Sequence, residues 1–119
     1  MVEQSPRLKV STVGPATVVS FNDRKMLDEV SITQIGDQLS SLIAEPGTPK
    51  LVLDFTNVSH MSSSALGMLI TLHKRIRDKN GQLRLCCIQP AIFEVFVITR
   101  LNEILKISNS PAEAVETLQ

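Results

Sequence analysis

Beyond Val30, stripes of apolar residues at helical spacing alternate with short apolar runs, and no other feature constrains the fold of this chain so tightly. Ile32, Ile35, Leu39, Leu42 and Ile43 recur on one helical face until Glu45-Pro46-Gly47-Thr48-Pro49 stops the helix. Leu51 to Phe55 is an apolar run interrupted only by Asp54, the pattern of a strand inside a covered sheet. Leu66, Leu69, Ile70, His73 and Ile76 form a second stripe, ended by Asn80-Gly81, and Leu83 to Ile88 reads as another strand. Pro90 opens a third helix whose Ile92, Phe93, Phe96 and Val97 are expected in the core. Ile104 to Ile107 is then a short strand, and Ser110-Pro111-Ala112-Glu113 combines capping-box spacing with proline at the first helical position. Strands separated by helices pair in parallel through right-handed crossovers. The expected product is one α/β domain over residues 1–119, with a mixed sheet and about four helices.

The N-terminal part follows a different pattern. Arg7 to Val13 alternates apolar and polar residues, Gly14-Pro15 supplies a turn, and Ala16 to Phe21 is strand-like, so an antiparallel hairpin is expected. Asn22-Asp23-Arg24-Lys25 reads as a charged loop. Ser31-Ile32-Thr33-Gln34 has the spacing of a capping box, with Val30 and Ile35 placed as a hydrophobic staple, which predicts a helix starting near Ser31.

Several function classes lack their motifs. Twelve acidic and twelve basic residues cancel, leaving no global field to attract nucleic acid or an anionic membrane. No apolar stretch approaches the roughly 20 residues of a membrane span, and Met1-Val-Glu-Gln-Ser-Pro6 has no signal-peptide character, so a cytoplasmic protein is expected. Neither G-x-G-x-x-G nor a P-loop is present, no G-x-S-x-G elbow surrounds Ser63, and nothing in the spacing pairs Asp54 with Asp28 as acid and base. A non-enzymatic protein is therefore expected. Cys86 and Cys87 adjoin in a predicted strand, so their side chains are expected on opposite faces as reduced structural thiols. His60 and His73 have no further ligands grouped beside them, and neither a metal site nor a cofactor is expected.

The distinctive residues are concentrated in one segment. A strand ends at Asp54, a polar knuckle follows through His60 and Met61, and Ser62-Ser63-Ser64 leads straight into the second amphipathic stripe. Serines at a helix N-terminus lie where free backbone N–H groups and the helix dipole can accommodate an anionic group, so they suit phosphorylation or phosphate binding. Capping alone, by Ser62 or Ser63, accounts for the same residues without any function.

The segment Leu51-Val-Leu-Asp-Phe-Thr-Asn-Val-Ser-His-Met-Ser-Ser-Ser-Ala-Leu-Gly67 resembles the signature of STAS domains of the anti-sigma-factor antagonist type. There a strand ends in Asp-Leu/Phe-Ser/Thr, and Met/Ile-Asp-Ser-Ser/Thr-Gly-Leu-Gly opens a helix. The resemblance extends over the chain, including element order, Leu27-Asp28 and the tail from Ser110 to Leu118. It implies a phosphoacceptor at Ser63, with Ser62 and Ser64 as the lesser choices. Two positions depart from the pattern: Ser62 stands where the family usually has Asp, and Ala65 where it has Gly.

The resemblance implies partner switching. In family members that act in this way, the unmodified protein binds an anti-sigma factor that is also a serine kinase, phosphorylation breaks that complex, and a phosphatase would reset it. The expected contact surface comprises the Asn22 to Asp28 loop with Asp23 and Asp28, the His60-Met61-Ser62 knuckle, and Ser64 with the exposed side of the Ser63 to Lys79 helix. A STAS scaffold that docks on another complex, such as a transporter ATPase, without being phosphorylated is the second reading.

Overall fold

A computed structural model describes residues 8–14, 16–21, 25–26, 29–44 and 47–118. Leu8–Val13 (β1) and Ala16–Phe21 (β2) form the expected antiparallel hairpin, with Gly14 at φ 58° in the turn, where a β-carbon would be strained. The strands Lys50–Asp54 (β4), Gln82–Cys86 (β6) and Lys106–Ser108 (β7) add to β2 in parallel, giving a five-stranded sheet of order β1-β2-β4-β6-β7. A separate two-stranded parallel ladder joins Lys25–Met26 (β3) to His60–Met61 (β5). The helices are Glu29–Ile43 (α1), Ser63–Asp78 (α2), Pro90–Ile98 (α3) and Pro111–Glu116 (α4), with a 3-10 turn at Leu101–Glu103.

The sheet is covered on both faces, which explains why Leu51, Val52 and Leu53 of β4 are apolar without alternation. One face, carrying Val19, Phe21, Leu51, Leu53, Leu83 and Leu85, packs with Ile35 and Leu39 of α1, Leu69, Leu72 and Ile76 of α2, and Phe96 of α3. Phe21 and Phe55 meet there in a tilted pair, with centroids 4.9 Å apart. The other face is smaller: Ala16, Val18, Val52 and Cys86 pack with Ala114 of α4. Arg84 lies buried beside this layer. It donates to the Thr117 hydroxyl and carbonyl, at 2.8 and 3.2 Å, and to Gln82 Oε1 and the Leu83 carbonyl, which ties the end of α4 to β6.

Helix termini are specified locally. Asn80, at φ 60°, takes the left-handed position after α2; its N–H reaches the Arg77 carbonyl at 2.9 Å, and that of Gly81 reaches Ile76 at 2.8 Å. Gly81 is needed for a different reason: a β-carbon there would sit 2.4 Å from the Pro49 carbonyl oxygen. Lys79 donates to the last carbonyl of α1, at Ile43, so the basic end of α2 stabilises its neighbour. At α4, Ser110 accepts from Glu113 N–H at 3.2 Å, while the Glu113 carboxylate accepts from Asn109 N–H, one residue earlier than a standard capping box.

Four local expectations are corrected. The first long helix begins at Glu29, so Ser31 is a buried helical residue and not the N-cap. Val30 is 65% exposed and cannot staple onto Ile35. Lys25 belongs to β3 instead of a loop; Asn22, Asp23, Arg24, Leu27 and Asp28 lie outside the described residues. In α3, Ile92 and Phe96 are buried, whereas Phe93 and Val97 are exposed together with Ile98. That helix is apolar nearly all round, so periodicity gives no indication of its inner face.

Candidate functional site

The knuckle between β4 and α2 is held by its two ends and its middle. Asp54 Oδ1 accepts from both the backbone N–H of Thr56, at 2.9 Å, and the Thr56 hydroxyl, closing a turn directly after β4. Val58 N–H bonds to the Phe55 carbonyl at 3.0 Å, and Val58 is fully buried, anchoring the loop in the core. Asn57 Nδ2 reaches the Phe21 carbonyl at the end of β2, and Gln89 Nε2 reaches the Thr56 carbonyl, both at 3.3 Å. Asp54 therefore shapes the turn and needs no catalytic role to explain it.

Beyond Val58 the chain becomes β5. Lys25 registers with His60 and Met26 with Met61, bringing the segment before α1 alongside the knuckle. This ladder has only two residues per strand, too short for sequence alternation to reveal it, and it juxtaposes two of the three regions expected to form one surface. His60 is exposed, its Nδ1 3.0 Å from the Ser59 hydroxyl, while Met61 is half-buried against the main core.

Each of the three serines has a distinct position. Ser62 is the N-cap of α2, in extended geometry at φ −90° and ψ 170°; its hydroxyl accepts from Ala65 N–H at 3.3 Å. Ser63 and Ser64 are the first two helical residues, both exposed. Ser64 also lines a groove of about 280 Å³ between α1 and α2, together with Gly36, Met68 and Arg75. Ala65 is fully buried within the helix, a position that alanine fills without conformational cost. Both departures from the family pattern thus have a structural account: Ser is as good an N-cap as Asp, and an ordinary helical residue suffices where Gly is usual.

The N-terminal end of α2 carries the positive end of the helix dipole, and no acidic residue stands in its first turn to oppose an anion; the basic Arg75 and Arg77 are at the other end, in the last turn. Arg75 Nη1 donates to the Ser40 hydroxyl at 2.8 Å, linking α2 to α1. His73 is half-buried, and its imidazole titrates below the usual histidine range because burial, and then the Arg77 charge, disfavour the cation.

The cysteines depart from expectation. Cys87 lies beyond the end of β6 at φ 62°, so the strand alternation breaks between the two residues. Instead of pointing to opposite faces, Cys86 and Cys87 both pack against the α4 layer. Burial, followed by the neighbouring Cys87 and then Asp54, pushes the Cys86 thiol far above its ordinary range.

The five-stranded mixed sheet, with helices on both faces and a serine-bearing knuckle leading into α2, defines the fold class as an α/β domain built on one main sheet. The STAS domain model matches residues 9–114, and the chain belongs to that family. The anti-sigma-B factor antagonist of Listeria monocytogenes is 35% identical over 63 residues, covering 53% of this chain and 55% of that protein. The chain thus spans about half the length of the curated relatives it matches. An anti-sigma-factor antagonist (STAS) domain protein from Planctomyces limnophilus superposes with a TM-score of 0.84 at 24% identity, covering 92% of this chain and 95% of the other. The phosphorylated form of the Bacillus cell-fate determinant SpoIIAA superposes with a TM-score of 0.69 at 17% identity, covering 92% and 96%. Among the described residues, no helix is long and apolar enough to cross a membrane.

Proposed function

We propose that this protein is an anti-sigma-factor antagonist whose partner, an anti-sigma factor with serine-kinase activity, binds the N-terminal end of α2 and is released when Ser63 is phosphorylated. The observation that carries this reading is the division of labour among the serines. Ser62 already caps the helix, so exposed Ser63 is spared structural duty and its hydroxyl is available for modification. A phosphoryl group adds about −1.5 to −2 charges, which the N-terminus of a helix tolerates without refolding.

The effect therefore falls on the interface. A phosphate desolvated against a partner, or set beside a like charge, need remove only about 3 kcal/mol to weaken binding more than a hundredfold. The β3–β5 ladder supports a contact surface shared by the segment before α1, including Asp23 and Asp28 in sequence, with His60, Met61, Ser62 and Ser64.

The test is capture of a protein from source lysate followed by titration. Ser63→Glu should weaken capture at least about tenfold, a shift of about 1.4 kcal/mol, while Lys50→Ala, outside this surface, should do little. Intact mass of protein isolated from its source should show the addition of one phosphoryl group on the Ser62–Ser64 peptide. The second reading is a scaffold that docks without modification, favoured by Ser62 and Ala65 standing where the family usually has Asp and Gly. Equal affinity of wild type and Ser63→Glu for the captured partner would leave that scaffold reading in place.

A further inference from the structure

At the end of the sheet, on the α4 side, Asp54, Cys86 and Cys87 each offer one ligand atom, all lying within 4.8 Å of one another. The cluster arises from two features of the backbone. Asp54 and Cys86 are register partners on adjacent parallel strands, so their side chains emerge on the same face. Cys87 should then point away, but its positive φ turns its side chain back to the same layer as Cys86. A left-handed conformation is costly for a residue with a β-carbon, and here it places two adjacent thiols and a carboxylate together.

From this geometry we propose that Asp54, Cys86 and Cys87 form a binding site for a thiophilic divalent cation of the zinc type. The donor set is two soft sulfurs and one carboxylate oxygen, which suits zinc or cobalt and is unlike the all-oxygen sets of calcium and magnesium. Zinc–sulfur bonds of about 2.3 Å and zinc–oxygen bonds of about 2.0–2.2 Å place donors roughly 3.3–3.8 Å apart in a tetrahedral site. With every donor pair within 4.8 Å, the cluster must contract by about 1 Å at most.

Coordination keeps one existing hydrogen bond and exchanges another. Asp54 Oδ1 holds Thr56, and a carboxylate has a second oxygen for a cation. Cys87 S–H donates to the Asn109 carbonyl oxygen, with Sγ 3.6 Å away; that bond is given up as the thiol loses its proton, and it marks the side from which a fourth oxygen ligand, this carbonyl or a water, would complete the shell. Binding replaces the two thiol protons with two sulfur–metal bonds and releases both protons to solvent, leaving a complex of two thiolates, one carboxylate and one divalent cation.

Anaerobic titration of the reduced full chain with Co²⁺ tests the proposal. One equivalent should produce a thiolate-to-cobalt charge-transfer band, which Zn²⁺ should then bleach. Cys87→Ala should abolish the band, and Asp54→Asn, which keeps an amide oxygen for the Thr56 turn, should weaken binding. Since removal of an outer-shell partner alone often costs about 10–100-fold in affinity, loss of a direct ligand should cost at least roughly tenfold. Thermal melts without metal should show both variants folded, so that lost binding is not lost structure; Cys87→Ser serves in place of Cys87→Ala if the latter unfolds. Absence of the band in wild type, or the same affinity in Asp54→Asn, would overturn the three-donor site. So would a Cys86–Cys87 disulfide in protein purified without oxidant, because its sulfurs could not both bind as thiolates.

Discussion

Ser62 and Ser63 are adjacent and chemically identical, yet the structure assigns them opposite energetic roles, and a pair of substitutions can separate these. Ser62→Ala removes the acceptor for Ala65 N–H and leaves that donor to water; loss of an N-cap of this kind costs about 1 kcal/mol. Ser63→Asp places a carboxylate in the first turn of α2, where interaction with the helix dipole contributes about 0.3–1 kcal/mol in favour of folding. Unfolding entropy near the melting temperature is about 2.1 cal/mol/K per residue, or roughly 250 cal/mol/K over 119 residues, so 1 kcal/mol corresponds to about 4 °C. Ser62→Ala should therefore melt about 4 °C below wild type, and Ser63→Asp about 1–4 °C above it at low ionic strength. Circular-dichroism melts at low and high salt provide the assay: added salt should erase the gain of Ser63→Asp by screening, but not the loss of Ser62→Ala. A loss of several degrees in Ser63→Asp would show that Ser63 is packed or bonded internally and would refute its assignment as the spare hydroxyl.

The remaining predictions concern the scaffold. Leu69→Ala and Phe96→Ala each remove a side chain that is 0% exposed, so both should destabilise by about 2–5 kcal/mol in denaturant titrations; near-neutral values would mean the packed faces of α2 and α3 are misassigned. Gly81→Ala should be destabilising by more than the usual range of about ±0.5 kcal/mol for a surface change, because its β-carbon would meet the backbone at Pro49 and cannot be relieved by side-chain rotation. His73 has a folded-state pKa below that of the unfolded chain, so the unfolded state binds the proton more readily. Its contribution is complete above about pH 6.5 and is lost as pH falls through the folded-state value. Melting temperatures of His73→Gln should accordingly fall less than those of wild type between about pH 7 and pH 5.

Much of this protein follows from its sequence alone. The periods of Ile32–Ile35–Leu39 and Leu66–Leu69–Ile76, separated by the run at Leu51, dictate helices and strands in alternation, and alternation dictates parallel pairing. Capping chemistry located the start of α4 at Ser110–Pro111 and the end of α2 at Asn80–Gly81, because these signals lie within a few residues and need no distant partner. The Ser31 spacing misled for the same reason: a local motif can occur inside a helix that packing has extended to Glu29. The inner face of α3 was illegible, since an all-apolar helix can be oriented only by what it packs against.

The candidate sites divide along the same line. That serines would stand at a helix start was readable from sequence; which serine caps and which is free depended on where the backbone turns helical, a difference of one residue. The β3–β5 ladder, which draws a remote segment beside His60 and Met61, is a tertiary pairing without a local pattern. The cysteines show this most plainly: alternation places adjacent strand residues on opposite faces, and only the positive φ at Cys87, imposed where β6 ends beside Asn109, brings both thiols together with Asp54.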